Sequence, residues 1–331
     1  MTRPLPFVAL CCAMASGQAP PPPAMLTIDI ENFVEYQSDV TDPSKIATNP
    51  NITPVLPPRN FFLAATLGDI VAVNGQPAKG TYAAQTWVVG LSSNPKPGQA
   101  IADTTRTALR YATFEILKSD GTLVGTIMVM GSAGGSPPPP GAPLAQTAGN
   151  FAIMGGTGAY LGVRGQYGQV TTSQTVPVRL ASTAEDPSNR RTNGGGKVRY
   201  LVHLMQSSVP QIAATANGPA VVHSSDFSPV TSSKPATAGE LLSLFATGLG
   251  PTQPGVDPGQ PFPSIPVAVN SPVDVTVNGK PAEVVAAVGF PGAVDGYQVN
   301  FRVPADTAKG LAAIQVSAAW IAGAPVTVTV E

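Results

Sequence analysis

The chain has 331 residues, of which 34 are Gly and 36 Pro. That is about one residue in five, against roughly 12% in ordinary proteins, so long helices and coiled coils are excluded. Charged residues make up 11%, with 18 Lys/Arg against 19 Asp/Glu and a net charge of −1, which leaves no basic face for nucleic acid. Hydrophobic residues at 43% exclude disorder along the whole length. An all-β protein with many turns remains, and the length suggests two domains.

In chain order, Arg3 precedes an apolar run from Phe7 to Ala15, followed by small residues at Ala13/Ala15 and again at Gly17/Ala19. This pattern predicts a secretory signal peptide over 1–19, cleaved after Ala15 or after Ala19, and hence a secreted or extracytoplasmic protein. The run is too short to cross a bilayer, and no stretch reaches eighteen apolar residues, so no membrane span is expected. Cys11 and Cys12 both lie inside the signal, so its removal would leave no thiol or disulfide chemistry.

Apolar and polar residues then alternate over 24–36, and strand-like segments recur at 61–73, 81–91, 108–117, 122–130, 150–153, 160–170 and 198–205. Asn74-Gly75, Ser119-Asp120-Gly121 and Asn193-Gly194-Gly195-Gly196 punctuate them as turns. Residues 37–60 form a polar, Pro-rich loop, and 134–143, with four consecutive prolines, a stiff one. About eight strands over 20–207 suit a closed antiparallel barrel. A Pro/Gly/Ser-rich linker over 208–237 then leads to short strands over 238–331. These include Val273–Val277 before the hairpin signal Asn278-Gly279, Tyr297–Val303 and Val326–Val330, and they suit a small sandwich.

The block Gly155-Gly156-Thr157-Gly158-Ala159-Tyr160, followed by Arg164-Gly165, resembles the signature of the dirigent and allene oxide cyclase-like barrel superfamily. The resemblance covers about 24–207. It implies an eight-stranded barrel with a largely apolar lumen, often assembled as a homotrimer, which steers phenoxy-radical coupling or cyclises a fatty-acid epoxide. Arg164 matches the arginine of the family motif, and Asp29 corresponds to the acid of its first strand. Ala159 stands where the plant pattern usually has an acid. Residues 238–331 resemble an Ig-like C-terminal domain of secreted bacterial proteins, most clearly through Gly296-Tyr297-Gln298-Val299-Asn300-Phe301-Arg302-Val303-Pro304. That resemblance implies an accessory sandwich without chemistry.

For the residues themselves, the glycine cluster lacks a phosphate-binding context and reads as a tight bend without room for side chains. His203 and His223 are too few and too far apart for zinc, so no metal and no cofactor are expected. Asp29, Glu31 and Glu35 lie at even spacing and share one face of a regular strand, read as the solvent face because Leu26, Ile28 and Ile30 take the other. Arg106, Arg110, Arg190 and Arg191 read as surface charges, or as groups at the barrel mouth. Tyr111, Phe114, Phe151, Tyr160 and Tyr200 are the aromatic candidates for lining a ligand cavity. Three functions stay open: a barrel binding a small apolar or phenolic ligand, a cyclase or isomerase using Arg164 and Asp29, and a structural or adhesive surface protein.

Overall fold

The computed structural model describes residues 24–39, 61–90, 106–133, 150–206, 209–216 and 218–331. The expected signal segment with both cysteines, the loop at 40–60 and the proline-rich loop lie outside the described residues. No α-helix occurs among those described, and none is long and apolar enough to cross a membrane.

Nine strands make the first sheet: β1 (Ala24–Asp39), β2 (Phe61–Val73), β3 (Gln76–Gly90), β4 (Arg106–Lys118), β5 (Leu123–Ala133), β6 (Asn150–Gly158), β7 (Arg164–Val170), β8 (Arg179–Ser182) and β9 (Gly196–Met205). Their order is β2-β3-β4-β5-β6-β7-β9-β1, and β1 also pairs with β2. The eight strands therefore close into an antiparallel barrel, which leaves no unpaired edge. β8 stands outside the ring, pairing in parallel with the last part of β1 through Val34–Gln37. There it covers Val34 and Tyr36, which form a satellite cluster with Ala181.

Local chemistry explains the closure. Asn74-Gly75 has both φ values positive, +50° and +76°, as a two-residue hairpin turn between β2 and β3 requires. The glycine block ends β6 in a bend where Gly156 lies against its neighbours' main chain. A Cβ there would meet the Tyr160 carbonyl at 2.5 Å and the Thr126 carbonyl at 2.6 Å. The expected bend without room for side chains is therefore present.

The second unit carries β10 (Gln211–Ile212), β11 (Ala214–Thr215), β12 (Gly218–Pro219), β13 (Val221–His223), β14 (Leu241–Thr247), β15 (Thr252–Gln253) and β16 (Val267–Val269). It continues through β17 (Val273–Val277), β18 (Lys280–Gly289), β19 (Tyr297–Arg302), β20 (Gly310–Ala318), β21 (Ile321–Ala322) and β22 (Val326–Val330). All but β11 and β12 belong to one eleven-stranded sheet. Two facing sheets were expected, whereas the sheet is continuous because the long β18 pairs with β19 along one edge and with β17 and then β16 along the other. It curls as a half-barrel over a core of its own that includes Leu244, Val299, Phe301, Ile314 and Val316. The segment expected as a linker contributes to this sheet, since β10 and β13 both pair with β14 and Ala236 is fully buried.

The two units meet at one end of the barrel. Ala319, Trp320 and Ile321, at the turn after β20, belong to the barrel's own hydrophobic core. The Asn74 side chain ties this turn down, with Nδ2 donating to the Trp320 carbonyl at 3.1 Å and Oδ1 accepting from the Thr27 amide at 2.8 Å. The opposite end, where β1, β3 and β5 finish, is the barrel mouth.

Candidate functional site

Side chains fill the lumen in layers. Nearest the Trp320 end it is aliphatic, with Leu26, Ile28, Ile70, Ile116, Ile127 and Leu204 each at most 2% exposed. Above them lies an aromatic floor of Phe33, Tyr82, Phe114, Tyr167 and Tyr200. Tyr82 and Tyr200 stack at 5.4 Å between ring centroids, and Phe114 meets Tyr82 edge-on at 4.9 Å. Phe151 joins the floor against Tyr167 at 5.1 Å.

The layer nearest the mouth is polar. Register places Glu35 opposite Thr66 and Gln37 opposite Ala64, while Thr86 faces Arg110 on the neighbouring strand pair. Arg110 Nε donates to Thr86 Oγ1 at 2.9 Å, and the guanidinium lies 5.7 Å from the Phe151 ring centroid. Its Nη2 is 4.0 Å from Glu35 Oε2, beyond hydrogen-bond length, and Glu35 Oε1 instead accepts from Gln37 Nε2.

Two features of the chain bring these groups together. Between Glu31 and Val34 the β1–β2 register slips, and Asn32 takes a φ of +50°. This bulge reverses the strand's alternation. Ile30 and Phe33 both face the core, and Glu35 and Gln37 follow Phe33 into the lumen. On the mouth half of β4 the usual apolar-in pattern is inverted, because Leu109 and Tyr111 are exposed while Ala108 and Ala112 point inward with Arg110, and Phe114 and Ile116 follow them into the core.

Much of this polarity has no partner. Tyr82, Tyr167 and Tyr200 are at most 2% exposed, and Tyr82 lies near enough to interact with the other two phenols, yet none of their hydroxyls makes a hydrogen bond within 3.5 Å, nor do Thr66 Oγ1 and Gln37 Oε1. Buried polar atoms are nearly always satisfied, so such a cluster calls for an explanation. Burial pushes the Tyr167 and Tyr200 phenols well above their ordinary range, and their charge interaction with Tyr82 adds to the shift. Both therefore remain protonated near neutral pH and can donate. Burial works to lower the Arg110 pKa, yet it is raised overall, so the guanidinium stays charged.

The residues singled out in the sequence scatter against this geometry. Phe114 and Tyr200 lie in the aromatic floor and Phe151 packs at its rim. Tyr160 is fully buried, but in the turn between β6 and β7 rather than in the polar layer. Tyr111 is 56% exposed on the outer wall, a correction to its expected place in the cavity. Arg164 is also exposed, its Nη1 donating to the neighbouring Val163 carbonyl at 3.0 Å. Asp29 sits on the outer face in a two-bond pair with Arg199, at 2.6 and 2.8 Å. The structure thus does not bring Arg164 and Asp29 together, and neither reaches the lumen. The shared face expected for Asp29, Glu31 and Glu35 is broken by the Asn32 bulge, which leaves the first two outside and turns Glu35 inward.

Other groups serve the architecture. Arg190 and Arg191 both bind Asp69 on the outer wall, the latter at 2.7 and 2.9 Å. The Arg106 side chain lies outside the described residues. His203 shares the outer parity, since Val202 and Leu204 take the lumen. His223 is buried in the second unit against Glu240. Arg110, Glu35, Gln37, Thr66 and Thr86 were missed as a set. The faint signal was the small-residue pattern Ala108-x-Arg110-x-Ala112, which on a barrel strand with large exposed neighbours turns the arginine inward.

In comparisons with known proteins the chain matches no protein-family model and no curated protein.

Proposed function

We propose that the chain is an extracytoplasmic barrel protein that holds a small hydrophobic or phenolic ligand at the mouth of its lumen. The observation that carries this reading is the set of five unpartnered polar atoms, on Gln37, Thr66, Tyr82, Tyr167 and Tyr200, gathered with Arg110 above an aromatic floor. A few convergent polar groups on an apolar, aromatic base are what orients a small ligand. A scaffold gains nothing from leaving them unsatisfied, since each costs about 1–3 kcal/mol. The signal-like first 19 residues support export. The second unit, read as an Ig-like accessory module, contributes Trp320 as a stopper at the far end of the barrel.

The outer wall favours self-association as part of the same reading. Trp87, Leu109, Tyr111, Met128, Met130 and Met154 are all exposed there, on the adjacent strands β3 to β6. A monomer rarely leaves such a patch in water, and a homotrimer would cover it.

The test is native mass spectrometry of the purified mature protein, followed by thermal melts with a panel of phenols and fatty acids. A co-purified small molecule, or a melting shift lost in Arg110→Met, supports the reading. A protein that carries nothing and whose melting point no ligand moves would overturn it.

A further inference from the structure

The polar layer also says what kind of head group it would take. Counted by hydrogen-bonding capacity, the layer is rich in donors. Among the described residues, Arg110 spends only Nε, on Thr86, and its Nη groups make no hydrogen bond. The hydroxyls of Tyr82, Tyr167, Tyr200 and Thr66 are unspent as well. Against them stand the acceptors Gln37 Oε1 and the second oxygen of Glu35, and the hydroxyls can accept as well as donate. The uncompensated donors are thus the guanidinium N–H groups, and a guanidinium fork fits a planar two-oxygen anion best.

We propose that the ligand is an organic acid whose ionised carboxylate seats on Arg110 and the surrounding phenols, with its apolar body against the aromatic floor. The inference rests on reading the lumen as a ligand site. It gives Glu35 a definite part as the internal counter-charge of the empty site. Glu35 stands 4.0 Å away, near enough to compensate the guanidinium but not hydrogen-bonded to it. An entering carboxylate would take over that compensation, and Glu35 would oppose it by like-charge repulsion. A neutral phenol or alcohol gains no such exchange, and its own hydroxyl proton would compete for the two acceptors.

The experiment measures binding at pH 7 by titration calorimetry for two matched pairs: 4-hydroxycinnamate against 4-hydroxycinnamyl alcohol, and decanoate against decanol. The wild-type protein is expected to bind at least one acid about tenfold or more tighter than its neutral partner, the scale of one charge-assisted hydrogen bond. Arg110→Met is expected to erase that preference, and Arg110→Lys to restore it in part. Glu35→Gln is expected to strengthen acid binding and so to widen the preference for each acid over its alcohol, an effect that damage to the fold would not produce. Alcohols that bind as well as the acids would overturn the carboxylate assignment while leaving the ligand-binding barrel standing. Weaker acid binding in Glu35→Gln would likewise overturn it. Failure of all four probes, with no co-purified acid in native mass spectra, would overturn the barrel reading and this one with it.

Discussion

Glu35 and Arg110 face each other inside the barrel mouth at 4.0 Å, and each makes its hydrogen bond elsewhere, Glu35 accepting from Gln37 and Arg110 donating to Thr86. A pair built for stability would close that gap into a two-bond contact, as Asp29 and Arg199 do on the outer wall. The held-apart geometry costs desolvation of both charges without the full Coulomb return. Strain of this kind is tolerated where a site must receive something.

Arg110→Met should therefore leave the protein as stable as the wild type, or raise its stability by up to about 1–2 kcal/mol, because methionine of similar length packs on the aromatic floor without a buried charge. Urea unfolding followed by circular dichroism measures this. A loss beyond about 2 kcal/mol would show that the guanidinium is a structural post and would weaken the case for a ligand site.

The glycine block allows a paired comparison. Gly156→Ala places a methyl 2.5–2.6 Å from two main-chain carbonyls that cannot rotate away, so a loss of about 3 kcal/mol or more is expected. Gly75→Ala sits in a left-handed turn with nothing within 4 Å, and should cost only about 1–2 kcal/mol. Thermal melts of the two variants rank them, and equal losses would refute close backbone packing as the reason for Gly156.

Much of the barrel was legible in the sequence. Regular alternation in 24–30, 61–73 and 198–205 identifies β1, β2 and β9, and Asn74-Gly75 locates a hairpin from backbone chemistry alone. The site was not legible, for two physical reasons. Alternation counted through Asn32 puts Glu35 with Asp29, because a bulge adds one residue without changing composition. On β4 the large apolar residues Leu109 and Tyr111 lie outside, so an inside-out reading by hydrophobicity sends Arg110 to the surface. β8 escaped as well. Its four residues pair in parallel outside the ring, and nothing local distinguishes them from loop.

The flap that contains β8 carries an acid-sensitive latch. Arg179 binds both oxygens of Glu185 at 2.8 and 2.6 Å and donates through Nε to the Gly194 carbonyl. The hydrogen bond from Arg179 is the main cause that holds the Glu185 carboxyl below its ordinary value of 4.5, against burial acting the other way. A carboxyl lowered in the fold contributes its stability in full above the unfolded pKa and loses it as pH falls through the folded one. Protection factors for amide exchange across 179–195 should thus be high at pH 6 and fall below about pH 4.5. Glu185→Gln should be less protected at pH 6 and lose most of that pH dependence. A wild-type flap equally protected on both sides of that pH would dismiss the latch.

The last relationship to test is the stopper. Trp320, 8% exposed, lies in the barrel's core although the turn that carries it belongs to the other unit, and it takes a φ of +62° that asparagine or glycine would adopt more readily. The contact with Asn74 and the burial of the indole hold it there. Trp320→Ala removes the indole and should cost about 3–5 kcal/mol, with the barrel bearing the loss. Because only Trp87 would remain, and Trp87 is half-exposed, emission should shift to the red in the folded variant. If the two units stabilise each other through this turn, the variant should melt in two steps where the wild type melts in one. A single transition at an unchanged temperature would mean that the barrel closes its floor without the second unit, and that Trp320 only rests against it.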